Sequence, residues 1–387
     1  MQNKPLSGIK VLDLSRLLPG PLCTLYLADM GAEVLKIEDP DKGDYCRFIP
    51  PLQKINSSLF LAINRNKSSM ILDLTKEEGG KIFLKLSKSS DVIIESFRPG
   101  VVKKLGIDYE IIKKENPKII YCSVSAYGQT GPYSKKAGHD LNFCSYSGII
   151  KQQADKGEKP SIPRFQIADV VGGAFNALTG ILAALVYQKT TGCGQYIDVS
   201  IMDGTLANYV TGLSELISSK NNISNIDLLT GATPCYNLYK TLDKRYLALA
   251  AIELKFWKRF CEAVSRNDLI PYQMVSGKKS KKIYKELSLI FKTKTLKEWM
   301  DYFKNTDCCI SPVLTVQESV NNEQVRARNM IITKKHPLEG DVTQFNLPLK
   351  FSSFEFKVDK SAPMHGEHTG KILSSLGYSK KEIENLF

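Results

Sequence analysis

The first half of the chain alternates short aliphatic and β-branched runs with stretches whose apolar residues recur at helical spacing. Strands are predicted at Ile9–Leu14, Val34–Ile37, Met70–Leu74, Asp91–Glu95 and Lys118–Ser125. Helices are predicted at Pro21–Met30, Glu77–Lys88, and in two short segments that follow Pro99 and Asp108. Strands that alternate with helices are typical of a mostly parallel sheet with right-handed crossovers. The sequence therefore predicts an α/β fold with a Rossmann-like large domain.

The pattern changes near Thr230, where hairpin-like strands replace the strand–helix alternation. Runs at Tyr236–Thr241 and Arg245–Ala250 flank the turn Leu242–Lys244, and a further strand is predicted at Ile310–Leu314. Helices are predicted near Leu254–Ser265, Tyr284–Phe291 and Leu296–Phe303. These elements predict a smaller α/β domain over residues 230–318.

The chain is expected to pass through the small domain and return to the large one. Residues 1–190 form the first part of the large domain and end in a long apolar helix that starts at Asp169. Residues 191–229 form linker helices, the main one near Ser200–Ser218. Residues 319–387 supply a second linker and the return to the large domain, with Ser379–Glu382 as a capping box.

Composition and motifs exclude several classes of protein. The 387 residues carry a formal charge of +13, but Lys and Arg are spread along the chain instead of forming the stripe typical of nucleic-acid binding. The nine cysteines include no CxxC pair, so neither a zinc site nor a disulfide framework is indicated. The turn Leu14–Pro21 at the end of the first strand has a single glycine, and the chain has no P-loop motif. Both observations argue against a nicotinamide dehydrogenase or an NTPase.

One uncharged run, Val170–Tyr187, has the length of a membrane span. It contains Gly172, Gly173 and Asn176, and this composition favours a buried core helix. The N-terminus lacks the apolar core of a signal peptide, and the C-terminus carries no peroxisomal tripeptide. We therefore expect a cytoplasmic protein without a membrane span.

Two short segments place a proton-transferring side chain beside a glycine and an apolar run. His139 follows Gly138, and Asp169 stands before the long apolar helix. A neutral imidazole and a carboxylic acid that face one carbon atom could remove a proton from one side and return it from the other. Gly172 and Gly173 would let a ligand approach the first helical turn, whose unpaired N–H groups could hold an oxyanion.

Each of these residues also has a purely structural interpretation. Aspartate is among the favoured N-cap residues, so Asp169 could simply cap its helix. A lone histidine such as His139 is more often hydrogen-bonded structure than a catalyst. Glu253 stands at the start of a helix after an apolar strand, where the helix dipole alone would favour a carboxylate. Taken one at a time, these residues leave the function open.

Read with their neighbours, these segments belong to motifs that run almost end to end. They are Val11–Ser15, Pro19–Pro21, Leu27–Val34, Ile37–Glu38, Asn64–Ser68, Leu72–Leu74, Glu95–Gly100, Ser125–Pro132, Gly192–Gln195 and Gly366–Thr369. In these motifs the sequence resembles the family III CoA-transferases. The resemblance implies an interlocked homodimer, in which each chain threads through its partner.

Within that family the sequence is most similar to the α-methylacyl-CoA racemases. Asp169 matches an aspartate that both branches of the family use, whereas His139 matches the racemase pattern, as do Thr230–Tyr236 and Ala251–Glu253. The similarity implies an isomerase of fatty acid metabolism that epimerises the α-carbon of 2-methylacyl-CoA thioesters through an enolate. His139 and Asp169 would be the opposing acid and base, and Glu253, supplied across the dimer, would orient His139.

The resemblance also allows a different reaction. In a CoA-transferase, Asp169 would act as a nucleophile and move CoA between an acyl-CoA and a carboxylic acid. Proton transfer changes no oxidation state, so the racemase needs no metal or redox cofactor. Coenzyme A enters as part of the substrate.

Contacts to coenzyme A are implied as well. Lys104 stands where many relatives carry arginine, and Asp39 where racemases commonly have an arginine that meets the nucleotide end, so Arg65 and Lys67 are expected to compensate. The residues expected around coenzyme A are Arg65, Lys67, Ile71, Leu72, Asp73, Leu74, Lys104, Tyr127, Gly138, Asp140, Leu141, Asn142 and Phe143.

Overall fold

A computed structural model describes residues 4–153, 158–220 and 228–386 of the chain. The structure divides into two compact units, Met1–Leu213 with Arg328–Phe387 and Ser214–Ala327. The small domain predicted over residues 230–318 lies inside the second unit. The predicted linker 191–229 falls in both units, and its residues 221–227 lie outside the described ranges.

The described residues form the following elements. The strands are β1 (Lys10–Leu14), β2 (Glu33–Glu38), β3 (Lys67–Ile71), β4 (Val92–Glu95), β5 (Ile120–Ser125), β6 (Gln195–Ser200), β7 (Tyr236–Lys240), β8 (Tyr246–Ala250), β9 (Ile310–Pro312), β10 (Ile331–His336) and β11 (Gly340–Phe345). The α-helices are α1 (Pro19–Asp29), α2 (Ser58–Ile63), α3 (Glu77–Ser87), α4 (Val101–Lys104), α5 (Tyr109–Glu115), α6 (Asp140–Tyr146), α7 (Asn176–Thr191), α8 (Ile201–Asn208), α9 (Val210–Lys220), α10 (Leu254–Ala263), α11 (Gly277–Phe291), α12 (Leu296–Phe303), α13 (Val316–Val320), α14 (Glu323–Ala327), α15 (Thr369–Ser375) and α16 (Lys380–Glu384).

The first unit is built on a parallel sheet, as the strand–helix alternation predicts. Within the described residues its six strands follow the order β3-β2-β1-β4-β5-β6, and every neighbouring pair is parallel. The strand order reverses between β1 and β4. In open parallel sheets such a reversal leaves a crevice outside the carboxyl ends of the two strands, where ligands bind. The fold thus confirms the Rossmann-like α/β prediction and indicates where a site would form.

Hydrophobic cores lie on the two faces of this sheet. Successive side chains of a strand point to opposite faces, so Val11 joins the core under α1 and α7, whereas Leu12 joins the core under α3, α5 and α15. Burial on both faces explains why the central strands read as continuous apolar runs.

Two strands depart from the sequence prediction. The third strand, predicted at Met70–Leu74, is β3 at Lys67–Ile71. The hydrophobic pattern did not indicate the start of this strand, because Lys67 and Ser69 are polar residues. Their side chains are nevertheless buried, where they form hydrogen bonds. The edge strand β6 was not predicted; its residues alternate between partly buried and exposed until the last two.

The long apolar helix begins with a π-helical turn, Ala168–Phe175, that leads directly into α7. The Asn176 side chain satisfies backbone carbonyls of this turn, donating to Val171 O at 2.9 Å and Gly172 O at 3.1 Å. In the described part of the chain, Ala168–Thr191 is the one helix long and apolar enough to cross a membrane. Its buried face belongs to the core of the first unit, as the sequence predicts.

The second unit contains an antiparallel sheet in the order β7-β8-β9, which confirms the predicted hairpin. Aromatic residues fill its core, including Trp257 of α10, Phe291 of α11 and Trp299 of α12. Helix α11 begins at Gly277 instead of the predicted Tyr284. Its first turns are lysine-rich, but they bury Ser280, whose hydroxyl donates to Ala232 O at 2.7 Å.

Candidate active site

The cleft that holds the two predicted proton-transferring residues lies at the carboxyl ends of β1, β4 and β5. Its volume is about 260 Å³. Its walls include Arg16 after β1, the segment Ser96–Pro99 after β4, and Ser125 at the end of β5, together with His139 and Asp169. The structure therefore brings His139 and Asp169 to one cleft, at the position where the strand order reverses.

A larger cavity of about 480 Å³ lies at the other ends of the strands. It is lined by Lys10 and Glu33 at the starts of β1 and β2, and by Ser90 just before β4. Ligands of open parallel sheets bind at the carboxyl ends of the strands. We therefore assign the site to the smaller cleft.

His139 is held at the start of α6 by its neighbours. It is the N-cap residue of this helix, and its backbone N–H donates to Asn142 Oδ1 at 3.1 Å. A side chain at Gly138 would meet Phe143 Cε1 at 2.6 Å and Tyr127 Oη at 2.7 Å, so only glycine fits there. The close approach of Gly138 to these two rings fixes the backbone from which the exposed His139 side chain enters the cleft wall.

Asp169 lies inside the first turn of the π-helical segment, not at its N-cap. The N-cap position is Ile167, so the capping interpretation of Asp169 is wrong. Burial and the nearby Asp140 carboxylate raise the pKa of Asp169 to about 7. At neutral pH this group is therefore present both as an acid and as a carboxylate, which suits a residue that must donate and accept protons.

Asp140 links the two segments. Its Oδ1 accepts hydrogen bonds from the backbone N–H groups of Ala168 at 2.8 Å and Asp169 at 3.1 Å. Because Asp140 directly follows His139, this contact ties the backbone of one predicted proton carrier to that of the other. Asp140 was expected to contact coenzyme A; the structure gives its carboxylate a role inside the protein.

These bonds correct the expected oxyanion site at the helix start. Ala168 N–H and Asp169 N–H donate to Asp140, and Val170 N–H donates to Gln166 O at 3.0 Å. The first N–H groups of the turn are thus occupied. An anion would need donors from elsewhere in the cleft.

The expected role of the two glycines after Asp169 is also corrected. A Cβ atom at Gly172 would lie 2.3 Å from Thr205 Oγ1 and 2.4 Å from Ile201 O, and one at Gly173 would lie 2.8 Å from Pro19 Cβ. Both glycines are buried against α8 and α1. They allow helices, and not a ligand, to approach the turn.

A buried charge network shapes the cleft wall after β1. Lys36 Nζ donates to Ser15 O and pairs with Asp44, each at 2.8 Å. Asp44 Oδ1 in turn accepts from Leu17 N–H at 2.9 Å. Leu17 has a φ of +64°, a conformation that costs free energy for a non-glycine residue and persists only where the surroundings fix it. The network thus fixes the backbone on both sides of Arg16.

Cations that the sequence analysis did not select line the cleft: Arg16, Arg98 and Lys136. Arg98 belongs to a family motif, and this was the signal that could have identified it. Arg16 Nη2 pairs with Asp39 Oδ2 at 3.1 Å, and its guanidinium lies over the Phe97 ring. Asp39, the residue that departs from the racemase pattern, therefore orients a cation at the cleft instead of supplying one.

Arg65 and Lys67 do not reach the cleft, which corrects their predicted role as phosphate contacts. Arg65 is buried, pairs with Asp29 at 2.6 Å and donates to Phe345 O at 2.8 Å. Lys67 is completely buried and donates to Asn64 Oδ1 at 2.9 Å; burial lowers its pKa to about 8. The structure assigns both cations to the core.

The other residues expected around coenzyme A fall into two groups. Tyr127, Gly138 and Phe143 pack together beside the cleft, with the Tyr127 and Phe143 rings edge to face at 5.4 Å. Leu141 and Asn142 are exposed on α6. The segment Ile71–Leu74 begins at the last residue of β3, and Asp73 accepts from Thr75 N–H at 3.0 Å. Lys104 is exposed on α4. Their contacts with coenzyme A stay predictions.

Glu253 belongs to the second unit. It is the exposed N-cap residue of α10, three residues after the end of β8, as its sequence position predicts. Its part in the site stays a prediction. Across residues 4–153, 158–220 and 228–386, no group of three or more His, Cys, Asp or Glu side chains is placed to hold a metal ion.

Known proteins resemble this chain along nearly its whole length. The family model described as CoA-transferase family III matches residues 6–369. Human alpha-methylacyl-CoA racemase is 35% identical over 385 residues, which cover 98% of this chain and 96% of the relative. Mouse succinyl-CoA:glutarate CoA-transferase is 30% identical over 390 residues, which cover 99% of this chain and 89% of the relative.

A solved structure shares the fold. A CAIB/BAIF family protein from Brucella suis matches with a TM-score of 0.82 and 27% sequence identity. The match covers 97% of this chain and 100% of the other. Sequence relatives with two different activities thus match this chain along nearly its whole length.

Proposed function

We propose that this chain, which belongs to CoA-transferase family III, is an α-methylacyl-CoA racemase. The substrate would be a 2-methylacyl-CoA thioester, and the reaction would invert the configuration of its α-carbon. The observation that carries the proposal is that His139 and Asp169 line one cleft and that the pKa of Asp169 is raised to about 7.

The proposed reaction moves one proton off the α-carbon and another onto it. Neutral His139 takes the α-proton of one epimer, and the electron pair of the broken C–H bond forms the enolate, whose negative charge lies on the thioester oxygen. Protonated Asp169 then donates to the opposite face. The reverse reaction starts from ionised Asp169 and protonated His139, so the same pair serves both directions.

The position of Asp140 supports a fixed arrangement of His139 and Asp169 relative to each other. Its carboxylate accepts from the Asp169 backbone, and its own backbone continues from His139. A pair of acid–base groups must stay on opposite sides of one carbon atom through both steps, and displacements of about 1 Å can cost about 100-fold in rate. We infer that the Asp140 contact holds this arrangement.

The cleft cations support binding of the CoA part of the substrate. Arg98 and Lys136 are exposed cations at the cleft, and Arg16 lines the same cleft. Diphosphate groups bind guanidinium and ammonium groups through charge-assisted hydrogen bonds. We propose Arg98 and Lys136 as phosphate contacts in place of Arg65 and Lys67.

The interlocked homodimer stays part of the proposal. In it, the partner's Glu253 would approach His139 and orient its ring, as a carboxylate orients the base of a catalytic triad. The exposed N-cap position of Glu253 in this chain is compatible with such a contact. A cytoplasmic location and a place in fatty acid metabolism are likewise proposed.

A CoA-transferase is the second candidate function, supported by transferase relatives of about 30% identity. There Asp169 would attack the thioester as a carboxylate. His139 favours the racemase, because it lines the same cleft as Asp169 and the transferase reaction does not require a second proton carrier there.

One experiment separates the two candidates. The enzyme receives a single epimer of 2-methylacyl-CoA together with a free carboxylic acid, and both inversion and CoA transfer are followed. A racemase inverts the thioester without transfer, and both His139→Ala and Asp169→Asn abolish inversion. A transferase forms the new thioester, keeps much of this activity in His139→Ala and loses it in Asp169→Asn. The second pattern would overturn the proposal.

A further inference from the structure

Removal of the α-proton in the proposed reaction puts negative charge on the thioester oxygen. Stabilising such a developing charge with fixed hydrogen-bond donors is usually the largest single contribution to catalysis. The donors at the start of the Asp169 segment are already used, since Ala168 N–H and Asp169 N–H donate to Asp140. Val170 N–H donates to Gln166 O. A donor to the thioester oxygen would therefore come from another part of the cleft.

Ser125 has the properties of that donor. It is the last residue of β5, so its side chain stands at the carboxyl edge of the sheet. It lines the same cleft as His139 and Asp169. Ser125 is only 6% exposed, and its hydroxyl has no hydrogen-bond partner among the described residues. Buried polar groups are nearly always hydrogen-bonded, so an unpartnered hydroxyl in a cleft points to a ligand.

We propose that the Ser125 hydroxyl donates a hydrogen bond to the thioester oxygen and stabilises the enolate. The inference rests on the proposed racemase function and adds a catalytic residue to it. The hydroxyl keeps its proton throughout. The α-proton still passes to His139, the electron pair of the C–H bond enters the enolate, and Asp169 returns a proton to carbon.

The chain offers a matched control on the same strand. Ser123 lies two residues before Ser125, so both side chains point to the same face of β5. Ser123 is also buried, at 1% exposure, but it lies deeper, beside Glu95, and does not line the cleft. Replacing either serine by alanine removes one buried oxygen atom from the same strand. Only Ser125→Ala removes a donor from the cleft.

The test measures deuterium exchange at the α-carbon of 2-methylacyl-CoA in D2O. We expect Ser125→Ala to lower kcat by about 100- to 1,000-fold, the usual effect of losing one oxyanion donor. KM should change far less, because the bond strengthens mainly as charge develops. Ser123→Ala should exchange at close to the wild-type rate. Thermal unfolding of both variants shows whether each is folded.

The outcomes distinguish this inference from the proposed function. If wild-type enzyme exchanges and folded Ser125→Ala exchanges equally fast, the inference is overturned while the racemase stands. An equal loss in Ser123→Ala and Ser125→Ala also overturns it, because the effect then belongs to the strand. If the wild type shows no exchange, the proposed function fails and the inference fails with it.

Discussion

The carboxylate of Asp140 holds the backbone of Asp169, accepting its N–H group at 3.1 Å. The two residues are far apart in sequence, yet Asp140 is the immediate neighbour of His139. The same carboxylate contributes, after burial, to the raised pKa of Asp169. One side chain thus joins the position of the proposed acid–base pair to the protonation state of one member.

We expect Asp140→Asn to lower the pKa of Asp169 from about 7 while keeping the backbone contact, because the amide oxygen still accepts but carries no charge. The part of the pH–rate profile that reports Asp169 should move to lower pH. Burial, the larger cause of the raised pKa, remains, so the shift is partial. Measuring kcat/KM against pH for both proteins checks this. An unmoved profile would mean that Asp140 acts only through its hydrogen bonds.

The two epimers should respond to pH in opposite ways where Asp169 is concerned. The direction in which Asp169 donates needs its protonated form, so that rate falls as pH rises through about 7. The direction in which Asp169 accepts needs its ionised form, so that rate falls as pH drops through about 7. Initial rates from each pure epimer across pH 5–9 provide the measurement. If the rates of both epimers fell in the same direction of pH near 7, the result would contradict a pair of residues that act on opposite faces of the substrate.

We expect Gly172→Ala to destabilise the fold by about 1–3 kcal/mol or more, because overpacking a tight helix contact forces backbone shifts. The new Cβ would lie 2.4 Å from a backbone oxygen, Ile201 O, which cannot rotate away. The free energy of unfolding in urea measures this effect.

Gly80→Ala is the matched control for that substitution. Gly80 lies within α3, and a Cβ there meets nothing within 4 Å. It should stabilise the protein by roughly 0.5–1 kcal/mol, the helix preference of alanine over glycine. Equal stability of Gly172→Ala and the wild type would show that the turn has room for a ligand after all.

Replacing the cations of the cleft should weaken substrate binding, whereas replacing those of the core should lower stability. Arg98→Ala and Lys136→Ala each should raise KM for the acyl-CoA by several-fold to about tenfold, since each removes a charge-assisted contact with phosphate at an exposed site. The increase should shrink at high ionic strength. Stability should change little, because both side chains are exposed.

Arg65→Met should instead destabilise the protein by about 3–5 kcal/mol, because it leaves the buried Asp29 carboxylate without its charged partner. KM of the protein that remains folded should stay near the wild-type value. Steady-state kinetics and denaturant unfolding on the same preparations separate the two effects. A raised KM in a fully stable Arg65→Met would restore the sequence-based assignment of this residue.

The sequence was sufficient to predict the elements that are buried along their whole length and the site residues whose side-chain chemistry is unusual in this chain. The strands β1, β4 and β5 are mainly apolar because both faces are covered, and His139 and Asp169 are unusual in their residue type. The role of Gly172 was not visible, because it depends on Thr205 across a helix contact. Lys67 looked available because sequence shows its charge and not its burial. Contacts between distant segments decided each of these cases.

The most direct test of a racemase is deuterium incorporation at the α-carbon of one pure epimer of a 2-methylacyl-CoA in D2O, with no free carboxylic acid present. NMR follows the label and chiral chromatography follows the configuration. We expect the opposite epimer to form with deuterium at the α-carbon. Inversion should disappear in His139→Ala, and the epimer whose α-proton His139 removes should also lose deuterium exchange. The proposal would be contradicted if the thioester stayed unlabelled and uninverted, while the same enzyme transferred CoA once a carboxylic acid was added.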